Sequence, residues 1–128
     1  MLLRSWLKRH PEVSDLQLAY FGPFDPSYVG IKFRLPSSNR PYSEVLAGSR
    51  PEPPAIEAGW CAASVNLIYG HRGTVPDGGG DVVRTPEGYL SHLQDLEPVE
   101  RLGNAMLIYY LSESDVAEVN RQLRKSFP

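Results

Sequence analysis

The residues with chemistry to offer gather in the middle of the chain. Cys61 sits in Trp60-Cys61-Ala62-Ala63-Ser64, a thiol beside a tryptophan and followed by small side chains. A cysteine hydrolase needs such a thiol next to a histidine base, with a third group orienting that base. The histidines are His10, His71 and His92. His71 is too near Cys61 in sequence to fold back onto it easily, and His92 falls within helical spacing beside Leu93. The residues after Cys61 favour a strand over the helix start that such a nucleophile uses. The expectation is therefore a buried structural cysteine, with a hydrolase using Cys61 as the alternative. As the lone cysteine it also excludes an internal disulfide and a cysteine-based zinc site.

The run Gly70-His71-Arg72-Gly73-Thr74-Val75-Pro76-Asp77-Gly78-Gly79-Gly80 imitates a phosphate cradle only superficially. It has neither the Gly-Lys-Ser/Thr ending nor the G-x-G-x-x-G pattern, and it precedes a short strand where both motifs need a helix. Asp77 and Asp81 are a weak carboxylate pair for a cation, and the three histidines share no metal-ligand spacing. No cofactor is called for. Seven tyrosines, Tyr20, Tyr28, Tyr42, Tyr69, Tyr89, Tyr109 and Tyr110, are too many to face inward together. Tyrosines near carboxylates suit a protein interface.

The elements that would position these residues follow from periodicity. Leu2, Leu3, Trp6 and Leu7 have helical spacing, so residues 2–9 form a short helix that stops before Pro11. Residues 16–21 read as a strand. Residues 28–35 alternate Val29, Ile31, Phe33 and Leu35 against Tyr28, Gly30, Lys32 and Arg34. That is the pattern of a strand with one buried face, joined to the first strand as an antiparallel neighbour. Five prolines interrupt 36–57, which is expected to be a long surface loop. Residues 60–69 read as one long strand, with Asp81–Arg84 returning antiparallel to it. Thr85-Pro86, with Glu87 near the positive end, announces a helix whose stripe is Tyr89, Leu90, Leu93 and Leu96. Residues 105–111 are apolar on both faces, as in an interior strand. Ser112-Glu113-Ser114-Asp115 matches a capped helix start, followed by the stripe Val116, Val119, Leu123 and Phe127. The sum is one α+β domain over 1–128. It has about five mostly antiparallel strands with one or two helices packed on one face, including a C-terminal helix.

Composition narrows the function classes. With 13 Lys and Arg against 15 Asp and Glu, the net charge is -2, and no basic field points to nucleic acid. The first residues contain no continuous apolar core or cleavage site of a signal peptide, and no run reaches the length of a membrane span. The helix over 2–9 could be read as a basic amphipathic anchor, but its shortness favours a cap on the core.

One order of motifs goes further. It runs from the strand at 60–69 through Gly70-His71-Arg72-Gly73 to Asp81-Val82-Val83-Arg84-Thr85-Pro86-Glu87-Gly88-Tyr89-Leu90. A strand over Leu107–Leu111 and a helix over Asp115–Arg124 complete it. Across residues 60–126 this resembles the immunity protein 8-like family of bacterial polymorphic toxin and contact-dependent growth inhibition systems. The chain departs from that pattern in three places: valine replaces phenylalanine in the second strand, Tyr89 precedes Leu90 where the family often shows tryptophan, and Ser114-Asp115-Val116 lacks the usual Asp-Trp pair. The resemblance implies a small cytoplasmic protein that binds and neutralises one cognate toxin domain by protein contact, with no catalysis, nucleic acid or membrane of its own. Many such toxin domains are basic nucleases, which carboxylates placed like phosphates would attract. The carboxylates on or beside one loop–helix edge are Asp77, Asp81, Glu87, Asp95, Glu97 and Glu100, and these are the expected toxin-binding residues. A structural subunit that oligomerises through an aromatic sheet face is a further alternative.

Overall fold

The structure is a computed structural model that describes residues 2–22, 25–36, 57–69, 73–80, 82–85 and 90–126. Helix α1 (Leu2–Arg9) leads to strand β1 (Gln17–Ala19), and a 3-10 turn spans Pro26–Val29. Strand β2 (Gly59–Ser64) runs directly into one helical turn, α2 (Val65–Ile68). Strands β3 (Gly73–Pro76) and β4 (Val82–Thr85) precede a second 3-10 turn, Ser91–Asp95. Strands β5 (Glu100–Leu102) and β6 (Met106–Leu111) and the helix α3 (Glu113–Ser126) follow. The fold is α+β, with a mixed four-stranded sheet in the order β1-β2-β6-β5 and a separate β3-β4 hairpin. In this sheet β1-β2 is parallel, and β2-β6 and β5-β6 are antiparallel.

The β2-β6 ladder sets the core. Its register pairs Cys61 with Tyr109, Ala62 with Ile108 and Ala63 with Leu107. Small side chains on β2 thus face large ones on β6, which lets layers on both sides pack closely. On one face Ala19, Cys61, Ala63, Leu107 and Tyr109 pack with Leu67 and Ile68 of α2, Leu90 and Leu93, and Val119 of α3. On the other, Leu18, Ala62, Met106 and Ile108 pack against Leu3 and Trp6 of α1 and against Ile31. The C-terminal helix therefore covers one face, as its stripe implied, and α1 covers the opposite one. Ser112 starts α3 as its sequence pattern predicts: its Oγ accepts the Asp115 backbone N–H at 3.1 Å. Among the described residues no helix is long and apolar enough to cross a membrane.

Several expectations fail for identifiable reasons. The strand expected over 28–35 is mostly absent. Asp25 caps a 3-10 turn, accepting the Ser27 N–H at 2.9 Å, with Pro26 in its first turn. Gly30 then reverses the backbone at φ 84°, a left-handed conformation that glycine adopts without penalty. Only Arg34 meets β1, as a single parallel bridge to Gln17, so the expected antiparallel neighbour is also corrected. The alternation at Ile31 and Leu35 marks burial, not a ladder. Asp25-Pro26 is a turn-forming pair, and the turn it starts extends into the residues whose apolar period suggests a strand.

The long strand expected over 60–69 ends at Ser64, because the chain turns helical there. Leu67 and Ile68 are both buried, which a flat strand with one covered side could not achieve for consecutive residues. Asp81–Arg84 does not return along β2. Instead β4 pairs with β3, Val75 opposite Val83. Strand β5, three residues long, is an edge that its charged sequence did not announce. The loop 36–57 lies largely outside the described residues, and so do the Thr85-Pro86 helix start beyond Thr85, Tyr89 and Phe127.

Candidate functional site

Cys61 is a core residue. It is fully buried in the middle of the sheet, and burial pushes its thiol up to about 12, with the Arg34 charge pulling weakly the other way. A thiolate is the form that attacks, so at neutral pH this sulfur is held in its unreactive form and has no path to a substrate. Its ladder partner Tyr109 is likewise buried, and its hydroxyl is raised to about 12, chiefly by desolvation. Among the described residues no group of three or more His, Cys, Asp or Glu is placed to hold a metal ion.

The glycine-rich run is structural where it is described. Asp77 is 8% exposed and its Oδ1 accepts the Gly79 N–H at 2.8 Å. A Cβ on Gly78, at φ 87°, would collide with the Phe33 carbonyl oxygen. The glycine lets the hairpin turn approach the 31–35 segment, and Asp77 closes that turn. Asp77, expected among the toxin-binding residues, is thus mostly buried in the hairpin turn.

The remaining expected toxin-binding residues divide in two. Asp81 and Glu87 lie outside the described residues. Asp95, Glu97 and Glu100 are all exposed and follow one another from the 3-10 turn into edge strand β5. None of the three has an ion-pair partner among the described residues. Val99, between them, is 53% exposed. This stretch forms an acidic ledge at the open edge of the sheet. It is fixed from below by Leu93 and Leu96 in the core and by the Val99 N–H bonded to the Ile108 carbonyl at 2.7 Å.

Of the tyrosines, Tyr28, Tyr69 and Tyr110 are exposed and Tyr109 is buried. Tyr110 continues an aromatic row over the α1 side of the sheet. Its ring meets Trp60 edge-on at 5.0 Å, Trp60 meets Trp6 at 5.7 Å, and Trp6 stacks on His10 at 4.1 Å. Both faces of the sheet carry packed layers, and Tyr110 at the end of this row stays exposed.

Sequence reasoning missed a concave feature among the described residues. A cleft of about 480 Å³ opens between α1 and the 29–32 segment. Arg4, Lys8 and Lys32 stand along it, and Leu7, Leu16 and Ile31 contribute aliphatic lining. Arg4 and Lys8 are four apart on α1, a spacing that puts both on one helix face. That was the available signal, but Lys32 joins them only through the tertiary fold. Comparison with family models, with curated proteins and with solved structures finds no match for this chain.

Proposed function

We propose that this chain is an immunity protein, which binds and neutralises a cognate bacterial toxin domain in the cytoplasm by protein contact and without catalysis. The motif order over residues 60–126 supports the family. The observation that carries the mode of action is the acidic ledge: Asp95, Glu97 and Glu100 exposed along one sheet edge around an exposed Val99. Carboxylates displayed without partners steer a basic surface such as that of a nuclease domain, and they act mainly on association rate. Val99 offers an apolar contact at the centre, as interfaces favour.

The test is co-expression with the toxin domain encoded beside this chain, followed by stopped-flow binding of the purified pair. Growth should be restored by the wild-type chain. The triple variant Asp95→Lys, Glu97→Lys, Glu100→Lys should associate about tenfold or more slowly at low salt, the difference shrinking as salt is raised. Failure to protect against any adjacent toxin domain would overturn the immunity reading. Protection with an unchanged association rate in the triple variant would overturn the ledge alone.

A further inference from the structure

We propose that the cleft beside α1 binds a small amphiphilic anion: a single medium-length alkyl chain ending in a carboxylate, taken up as a free molecule. This is independent of the toxin reading, since the acidic ledge is a different surface and plays no part in it.

Three observations converge. The first is shape and lining. A space of about 480 Å³ falls in the range of small-molecule sites, which are typically mostly apolar with a few polar groups that fix orientation. Here the aliphatic contribution comes from Leu7, Leu16 and Ile31, supplemented by Val13 and Val29. Leu16 and Ile31 are buried, and the other three are half-buried. The slot therefore offers apolar surface already partly removed from water.

The second is charge. Every ionisable residue lining the cleft is a cation, namely Arg4, Lys8 and Lys32. The chain as a whole is net negative, so this is a local reversal of sign.

The third is that, among the described residues, the carboxylates Glu12, Asp15 and Glu57 are engaged elsewhere. Asp15, next to the lining residue Ser14, forms a two-point contact with Arg34 at 3.0 and 3.2 Å. Glu57 also binds Arg34, at 2.9 Å, and Glu12 binds His10 at 3.0 Å. Arg4, Lys8 and Lys32 have no ion pair among the described residues. Cations around an aliphatic slot match a carboxylate head with an alkyl tail, because each part of the ligand meets its own kind of surface. Acetate would lack the tail, and an alcohol of equal length would lack the charge.

The experiment is isothermal titration of the full chain with decanoate below its micelle concentration, compared with decanol, acetate and the acetylated peptide Glu-Leu-Glu-Leu-Glu. Co-sedimentation with phosphatidylglycerol vesicles runs in parallel. Saturable one-site binding of decanoate is expected, with decanol and acetate each weaker by about tenfold or more, the scale of losing one charge-assisted hydrogen bond or a buried tail. Lys8→Glu with Lys32→Glu should weaken decanoate by a similar factor. Arg121→Glu, the same kind of charge change on the opposite face of the sheet, should leave binding unchanged. Circular dichroism melts confirm that each variant is folded. The proposal is overturned if decanoate fails to saturate, if decanol binds equally well, if the peptide binds more tightly, or if only vesicles are bound.

Discussion

The two faces of the central sheet are closed by different means, and the difference separates inert groups from available ones. On one face α2, the 90–96 segment, the hairpin and α3 together exclude water from Cys61, Ala63, Leu107 and Tyr109. On the other the eight-residue α1 covers Leu18, Ala62 and Ile108, and the space beside it is left as a cleft. The face under α3 contains the residue types with the most reactive chemistry and disarms them by burial. Beside the α1 layer of the other face, ordinary lysines, an arginine and aliphatics stand around a concavity. Chemical promise in a sequence is thus a poor guide to a site when the local packing is unknown.

The sharpest way to break this comparison is to remove the centre of the thinner layer. Trp6 is 3% exposed and edge-on to Trp60, so Trp6→Ala should cost about 3–5 kcal/mol in urea unfolding, as for other buried aromatics cut to alanine. A loss below about 1 kcal/mol would mean that α1 merely rests on the sheet. Trp6→Phe refines the test. The Trp6 Nε1 is buried with no hydrogen-bond partner among the described residues, and an unpaired buried donor opposes folding. Phenylalanine gives up some packing but removes that donor, so it should recover most of what alanine loses.

The covered face predicts an alkaline weakness. The Cys61 thiol is raised from its ordinary 9.0 to about 12, chiefly by desolvation. A raised acid is bound to its proton more tightly in the folded state than in the unfolded one. Its contribution is therefore fully present below pH 9 and is lost as pH rises towards 12, at about 1.4 kcal/mol per unit. Tyr109, raised from 10.0 to about 12, adds to the loss over the upper part of that range. Urea midpoints at pH 8, 10 and 11 should fall steeply for the wild-type chain and less steeply for Cys61→Ala. At pH 8 the native thiol should ignore a chromogenic disulfide reagent that reacts at once with the unfolded chain. Immediate reaction in the native state would show that the face is open.

This contrast also explains how much was legible in advance. Local signals carried their elements: the 2–9 helix, the strand at 105–111, and the Ser112 cap all depend on neighbours within a few residues. The demotion of Cys61 to the core was available from the strand character of Trp60–Ser64. Elements decided by distant contacts were not legible. Ser64 ends β2 with its Oγ accepting the Phe21 N–H at 2.8 Å, and the Val65 N–H turns to the Ala105 carbonyl at 2.8 Å. Neither partner is visible from the local run of apolar residues. Gln17, fully buried, substitutes for ladder bonds by donating to the Glu57 carbonyl at 2.7 Å and accepting its N–H at 3.1 Å. The exposure of Asp95, Glu97 and Glu100 follows from their polar clustering in sequence. The burial of Asp77 was not visible to the same rule, because a turn can bend a carboxylate back onto its own backbone. The cleft was invisible because Lys32 reaches Arg4 and Lys8 only across the fold.

The smallest expected effect lies at the margin of the thinner face, where ion pairs operate in place of burial. Arg34 bridges Asp15 and Glu57, and the Arg34 hydrogen bond holds the Asp15 carboxyl below its ordinary 3.8. A depressed carboxylate contributes stability that is present above pH 3.8 and lost as pH falls through its lower folded value. Asp15 is largely exposed, so Asp15→Asn should cost less than about 1 kcal/mol at pH 7. That difference should shrink in 1 M salt, where the screening length is about 3 Å. It should also narrow as pH falls below 3.8 and through the lower folded value of the wild-type carboxyl. A loss that persists in high salt would assign Asp15 a packing role instead, and the rim would then be held by the same force as the core.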